Sequence, residues 1–184
     1  MAVGRRLKQT HRIRLDRMRV LLALLLGAIV AQPAPRQAPE FVIHRTGAPD
    51  LKLSAYRGKT VLLAFLNTGC QHCQHFAQEL AGLQKDYTSK GVQVLAVVFD
   101  TNAKAGMADF EKKYVRGYPL GYSDEATVLS WLGPIADQGY FVPIVAFVDR
   151  RGMIQSEHLG DDNLFQDPEA NIRHKLDQLT KATR

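Results

Sequence analysis

Residues 60–66, Thr-Val-Leu-Leu-Ala-Phe-Leu, form an almost wholly apolar run. A strand with one wet face alternates polar and apolar residues, whereas an unbroken run marks a strand covered on both faces. A chain built around such a strand must supply layers above and below it, and the rest of this sequence does so. After Asn67-Thr68-Gly69, residues Cys73, Phe76, Leu80, Leu83 and Tyr87 recur at helical steps. Gly91 opens a second apolar run over 92–99. Ala103, Met107, Phe110 and Tyr114 mark another amphipathic helix, with Thr101 or Asn102 as its cap. Residues 126–132 hold the single tryptophan, Trp131, in a short helix. Residues 144–148 read as a strand, 149–152 as a tight turn and 153–158 as its antiparallel partner. Ile172, Leu176 and Leu179 line the buried face of a last helix. The order predicts an α/β domain with a central mixed β-sheet flanked by helices.

The 184 residues carry 24 Lys+Arg against 18 Asp+Glu, a net charge of +6. A basic balance ordinarily suggests nucleic acid as a partner. Its location argues otherwise, because residues 1–19 hold seven basic residues and one acid, and the remainder holds 17 of each sign. The domain itself is neutral, so no nucleic-acid partner is expected. Residues 20–31, VLLALLLGAIVA, are free of charge. That is shorter than the roughly 20 apolar residues that cross a bilayer. A basic start, a short apolar core and the small residues Ala28, Ala31 and Ala34 describe a secretory signal. Ile29 stands where a small residue is preferred for a cut after Ala31, so a retained anchor stays open beside a cleaved signal. Its basic end would then lie in the cytoplasm. The expected organisation is a signal peptide or signal anchor over 1–31 and a stiff linker over 32–40 carrying Pro33, Pro35 and Pro39. One exported domain, periplasmic or otherwise extracytoplasmic, follows over 41–184, touching a membrane only through residues 20–31.

The only two cysteines are Cys70 and Cys73, in Cys-Gln-His-Cys. They stand where the central strand ends and a helix begins, the place where chemistry collects in open α/β sheets. Cys70 at the helix N-terminus faces unpaired N–H groups and the positive end of the dipole, which favour thiolate. His72 adds positive charge or a hydrogen bond. Cys73 shares the helix face of Phe76 and Leu80 and is therefore the more buried. That asymmetry suits a two-step exchange, in which Cys70 attacks a disulfide and Cys73 resolves the mixed disulfide. A structural disulfide across so short a loop would contribute little stability. A metal site would draw on His72 and His75, but no second pair completes four ligands. Haem attachment needs histidine where Gln74 stands.

These features resemble the thioredoxin superfamily, and more narrowly the exported TlpA/ResA-like thioredoxins on the redoxin, or AhpC/TSA, scaffold. The resemblance runs from about Asp50 to Leu179. It is carried by LSAYRGK at 53–59, the Cys70–Cys73 motif, and FVPIVAFVD at 141–149. It implies a thioredoxin-like fold with an extra helix over 101–114 inserted before the strand that follows Pro143. It also implies thiol–disulfide oxidoreductase activity on protein substrates, and no cofactor beyond the Cys70–Cys73 dithiol. It further implies a redox partner in the membrane or periplasm and a monomeric domain. In the family the proline at Pro143 is cis and lies against the cysteines, and its neighbour, here Val142, offers backbone hydrogen bonds to an extended peptide. Tyr140 and Phe141 adjoin that platform. Unaided, Val-Pro before a strand indicates only a strand start with an ordinary trans bond.

Three departures matter. Gly69 replaces the usual aromatic residue, which predicts a less shielded thiol and a looser loop. Ala64 takes the place of the buried relay carboxylate. Gln71-His72 is unlike the Gly-Pro of strongly reducing members and resembles oxidising ones. Rival functions use the same scaffold. A peroxiredoxin, with an antioxidant role, would need Pro at Leu63 and Thr at Asn67, and Thr68 is one residue out of register. A copper-binding assembly factor would add His158, expected at a solvated strand end, and a non-catalytic binding module would keep the pair as a stable disulfide. Trp131, Tyr140 and Phe141 read as core or groove wall.

Overall fold

The structure, a computed structural model, describes residues 34–137 and 139–181. The expected signal over 1–31 lies outside the described residues. Strands β1 (Arg36–Gln37), β2 (Val42–Ile43) and β3 (Leu51–Lys52) precede β4 (Thr60–Leu66) and helix α1 (Gln71–Tyr87). Next come β5 (Val92–Val98), α2 (Ala103–Tyr114), β6 (Leu120–Tyr122) and α3 (Glu125–Leu132). The hairpin β7 (Ile144–Val148) and β8 (Met153–His158) leads to α4 (Pro168–Lys181). The main sheet has the order β1-β8-β7-β4-β5-β6. Strand β4 runs parallel to β5 and antiparallel to β7, so the sheet is mixed as expected. Helix α2 lies between β5 and β7 in the chain, where the insertion was expected.

Every residue of β4 is buried, and its two faces feed two cores. Leu62, Ala64 and Leu66 pack with Cys73, Phe76, Leu80, Met107, Phe110, Ile172 and Leu176 from α1, α2 and α4. Val61, Leu63 and Phe65 pack with Phe41, Val128, Trp131 and Leu132. Period-two alternation inside an all-apolar strand is what buries both faces at once.

The proposed linker over 32–40 is corrected from residue 34 onward. Arg36–Gln37 pairs antiparallel with β8, and Ala38 is buried with its N–H donated to the Gly152 carbonyl at 3.0 Å. The compact unit therefore begins at Ala34 instead of Phe41. Prolines at 35 and 39 flank a two-residue edge strand, a position that tolerates them because the outer side of an edge needs no donor.

Strand β6 also escaped the sequence reading, since Pro119-Leu-Gly-Tyr122 carries turn-like residues. Gly121 explains the choice: an added Cβ would lie 2.4 Å from the His44 carbonyl oxygen, because the segment after β2 crosses there and bridges to Tyr122. Of the two caps expected for α2, Thr101 and Asn102, the second takes the position. Asn102 holds the cap position without a side-chain bond, and Asp100 Oδ1 instead accepts the Asn102 N–H at 2.8 Å.

Candidate functional site

Strand β4 ends against Asn67, and the chain turns through Thr68 and Gly69 into α1. Cys70 is the N-cap of α1, in extended backbone geometry. Its Sγ accepts the Cys73 N–H at 3.2 Å, so the helix start supplies an oriented donor to this sulfur. Cys70 is half-buried and Cys73 fully buried, both as free thiols. Burial, above all, pushes the Cys73 thiol far up, with Cys70 and the Asp100 charge adding to it. Taking a thiolate out of water into an apolar face is the cause, since Cys73 sits among Leu66, Phe76 and Ala77.

The Val142–Pro143 bond is cis. Cys70 Sγ lies 4.0 Å from the Val142 carbonyl oxygen, so the platform and the sulfur are neighbours. Gly160 lies directly against the platform, where a Cβ would come within 2.9 Å of the Phe141 and Val142 backbone. Its N–H donates to the Phe141 carbonyl at 2.8 Å, pinning the segment from outside. The residue passed unremarked in the sequence, where a glycine after a strand was its only signal.

His72 is exposed, and no hydrogen bond joins it to either sulfur among the described residues. It lines a cleft of about 380 Å³ with His75, Phe76, Glu79, Val142, Pro143, Gly160, Phe165 and Pro168. Burial raises the Glu79 carboxyl, opposed by His75, whose Nε2 lies 3.2 Å away. On the far side of the platform, Tyr140 and Phe141 line a second groove of about 550 Å³ with Pro134, Ile135 and Leu159. Phe141 is 66% exposed, the one large exposed apolar side chain among the described residues. Tyr140 donates its hydroxyl to Glu125, and burial together with that carboxylate pushes its phenol up to about 12. Trp131 belongs wholly to the core.

The loop before Cys70 is held, contrary to the looseness expected from Gly69. Asp100 Oδ2 accepts the Thr68 N–H, and Gln74 Nε2 donates to the Thr68 carbonyl at 3.0 Å. Ala64 is buried, so no carboxylate stands at the relay position. His158 is not the solvated side chain expected: it is 21% exposed, edge-on to Phe147, with Nδ1 3.2 Å from Asp162. Among the described residues, no group of three or more His, Cys, Asp or Glu side chains is arranged to hold a metal ion.

The buried Cys73 thiol yields a pH prediction. Its folded value lies above its unfolded one, so its contribution to stability is full below the unfolded value and is lost as pH rises toward the folded value. The stability advantage of the reduced wild type over Cys73→Ala should therefore shrink by about 1–2 kcal/mol between pH 7.5 and 10.5. Urea unfolding of both proteins across that range measures it, and a constant difference would contradict it.

The AhpC/TSA family model matches residues 34–157. A thiol-disulfide oxidoreductase ResA from Bacillus thuringiensis subsp. konkukian is 25% identical over 131 residues, covering 71% of this chain and 72% of that protein. The ResA of Bacillus subtilis is 32% identical over 92 residues, 50% of this chain and 51% of that protein. The crystal structure of a thiol:disulfide interchange protein of the thioredoxin family from Chlorobium tepidum superposes with a TM-score of 0.63 at 18% identity. It covers 79% of this chain and 99% of that one. Fold and relatives together define a thiol–disulfide oxidoreductase of thioredoxin-like fold, a class that works through its own cysteines. The chain belongs to the AhpC/TSA family, as a ResA/TlpA-like member of the thioredoxin superfamily.

Proposed function

We propose that this protein exchanges its Cys70–Cys73 dithiol with cysteines of polypeptide substrates in an extracytoplasmic compartment. The observation that carries the reading is one sulfur, Cys70, half-exposed at a helix N-terminus and 4.0 Å from the Val142 carbonyl, with Cys73 buried beneath it. Cys70 is the nucleophile. Cys73 resolves the mixed disulfide. Val142, beside cis-Pro143, pairs with the backbone of the substrate, while Phe141 and Tyr140 supply an apolar wall for its flanking residues. His72, at the mouth of the adjoining cleft, brings positive charge near the developing thiolate when it is protonated. Residues 1–31 carry the chain to or through the membrane, as a signal or an anchor, and the neutral domain from Ala34 works beyond it. A protein redox partner in that membrane or compartment restores the dithiol or the disulfide.

Equilibrating the domain against graded glutathione redox buffers, then trapping free thiols with acid and alkylating them, tests the reading. The Cys70–Cys73 disulfide should titrate within the accessible range of the buffer. A pair that stays locked in one state throughout would overturn it.

A further inference from the structure

Helix α1 turns one stripe of side chains toward the cleft beside the platform. His72, His75, Phe76 and Glu79 recur at three- and four-residue steps, and all four line it. Its walls are largely apolar: Phe76 meets Phe165 edge-on at 5.6 Å, and Val142, Pro143 and Pro168 add to them. At the end away from Cys70 stands one carboxylate. Glu79 lies roughly 13 Å along α1 from Cys70 by the helix rise. Its side chain is 22% exposed, with Oε1 3.2 Å from His75 Nε2. Oε2 is buried and has no hydrogen-bond partner among the described residues. A carboxylate taken out of water with one oxygen unmatched is costly until a donor completes it. The carboxylates on either side of Pro168 are engaged elsewhere: Asp167 accepts the Ala170 N–H at 3.2 Å, and Glu169 pairs with Arg173 at 2.9 Å. Among the described residues that line the cleft none is Lys or Arg, and its two histidines are exposed.

We propose that this cleft is a specificity site in which Glu79 receives a basic side chain, lysine or arginine, of the polypeptide whose cysteine meets Cys70. Shape and charge both favour such a group. An aliphatic stem suits Phe76, Phe165 and Pro143, and a cationic tip supplies the donor that Oε2 lacks. Val142 joins the cleft to the sulfur, since it lines the one and its carbonyl lies 4.0 Å from Cys70 Sγ. An extended peptide paired with Val142 sends successive side chains to opposite faces. One set meets the groove of Tyr140 and Phe141, and the other enters the cleft toward Glu79. His75 is 76% exposed and is free to turn to solvent as the substrate cation takes its place. An apolar side chain leaves the half-desolvated carboxylate unmatched, and an acidic one meets like charge, so both are disfavoured. The inference rests on the exchange reading above and names the substrates it selects.

Three peptides of otherwise identical sequence read the preference. Each carries one cysteine as a mixed disulfide with thionitrobenzoate, flanked by lysine, by norleucine or by glutamate. The Cys70 thiolate attacks the peptide sulfur and forms a protein–peptide disulfide. The old disulfide breaks, and coloured thionitrobenzoate leaves with the electron pair. Each rate, measured at low peptide concentration, is divided by that peptide's rate with 2-mercaptoethanol, which removes differences in intrinsic reactivity. For the reduced wild type the lysine peptide should react about tenfold faster than the norleucine peptide, with the glutamate peptide slowest. Glu79→Gln keeps the shape and removes the charge, and should bring the lysine and norleucine peptides within about twofold of each other. Glu79→Lys should reverse the order, making the glutamate peptide the fastest. Ratios taken within one protein are unmoved by a general loss of folded or reactive material. If Glu79→Lys does not fold, Glu79→Gln decides alone. Equal lysine and norleucine rates in the wild type, or a lysine preference that survives in Glu79→Gln, overturns the role of Glu79. Absence of release from all three peptides would instead overturn the exchange reading itself.

Discussion

Cys70→Ser should lower exchange with a protein disulfide by about a thousandfold or more, because the attacking atom is gone and no neighbouring thiol can reach the substrate. Cys73→Ser should behave in the opposite manner. It keeps the first attack and accumulates covalent adducts on Cys70. The difference follows from burial. Cys70 caps α1 with its sulfur at the surface beside Val142, whereas Cys73 is 0% exposed. A substrate disulfide can meet the first sulfur and not the second, and Cys73 can act only on a disulfide already formed at Cys70. A serine hydroxyl at 73 is too weak an acid to do so. It also buries a polar group among Leu66 and Phe76, costing about 1–2 kcal/mol. Cys73→Ala avoids that cost and should trap the same adducts. Non-reducing electrophoresis of each variant after incubation with a scrambled protein disulfide makes the measurement. Equal adduct yields from Cys70→Ser and Cys73→Ser would defeat the assignment of the nucleophile.

The cysteines were legible because their spacing and their place between strand and helix carry chemical meaning without any tertiary knowledge. The burial of Cys73 was legible too, from its shared helix face with Phe76 and Leu80. What stayed hidden depends on contacts between distant segments. Asp100 looks like a loop acid until β5 is laid beside β4, which brings its carboxylate to the Thr68 N–H 32 residues earlier. Gly160 reads as a turn residue until the cis-proline segment is seen against it. Gly69 predicted looseness because a glycine's freedom is a local property, while the Asp100 and Gln74 bonds that remove the looseness are not. The prolines at 35 and 39 misled for a related reason. They do end a helix, but an edge strand accepts them, and the partner β8 lies more than 110 residues away.

Trp131 joins that N-terminal segment to the sheet, and Trp131→Ala should cost about 3–5 kcal/mol. The ring lies 5.6 Å from Phe65 of the central strand and 5.7 Å from Phe41, which itself meets Phe65 edge-on at 5.5 Å. These three rings are in mutual contact within the second core, and removing the largest leaves a cavity between rigid neighbours that cannot close on it. The polar edge matters as well. Trp131 Nε1 donates to the Pro39 carbonyl at 3.0 Å, and Arg36 donates to the Trp131 carbonyl at 3.1 Å while pairing with Glu157 at 2.7 Å. Burial raises the Glu157 carboxyl, with Arg36 opposing, and the Arg36 guanidinium itself lies 5.8 Å from the centre of the indole ring. Trp131→Phe isolates the two contributions: it keeps most of the apolar volume, leaves the Pro39 carbonyl without its donor and should cost about 1–2 kcal/mol. Urea unfolding followed by far-ultraviolet circular dichroism gives both numbers. Amide exchange then places the damage. In Trp131→Ala the Ala38 N–H, bonded to Gly152, should lose protection sooner than Val94 in the middle of the sheet. A loss below about 1 kcal/mol for Trp131→Ala, or uniform loss of protection across the sheet, would show that residues 34–40 are held by strand pairing with β8 and not by the indole.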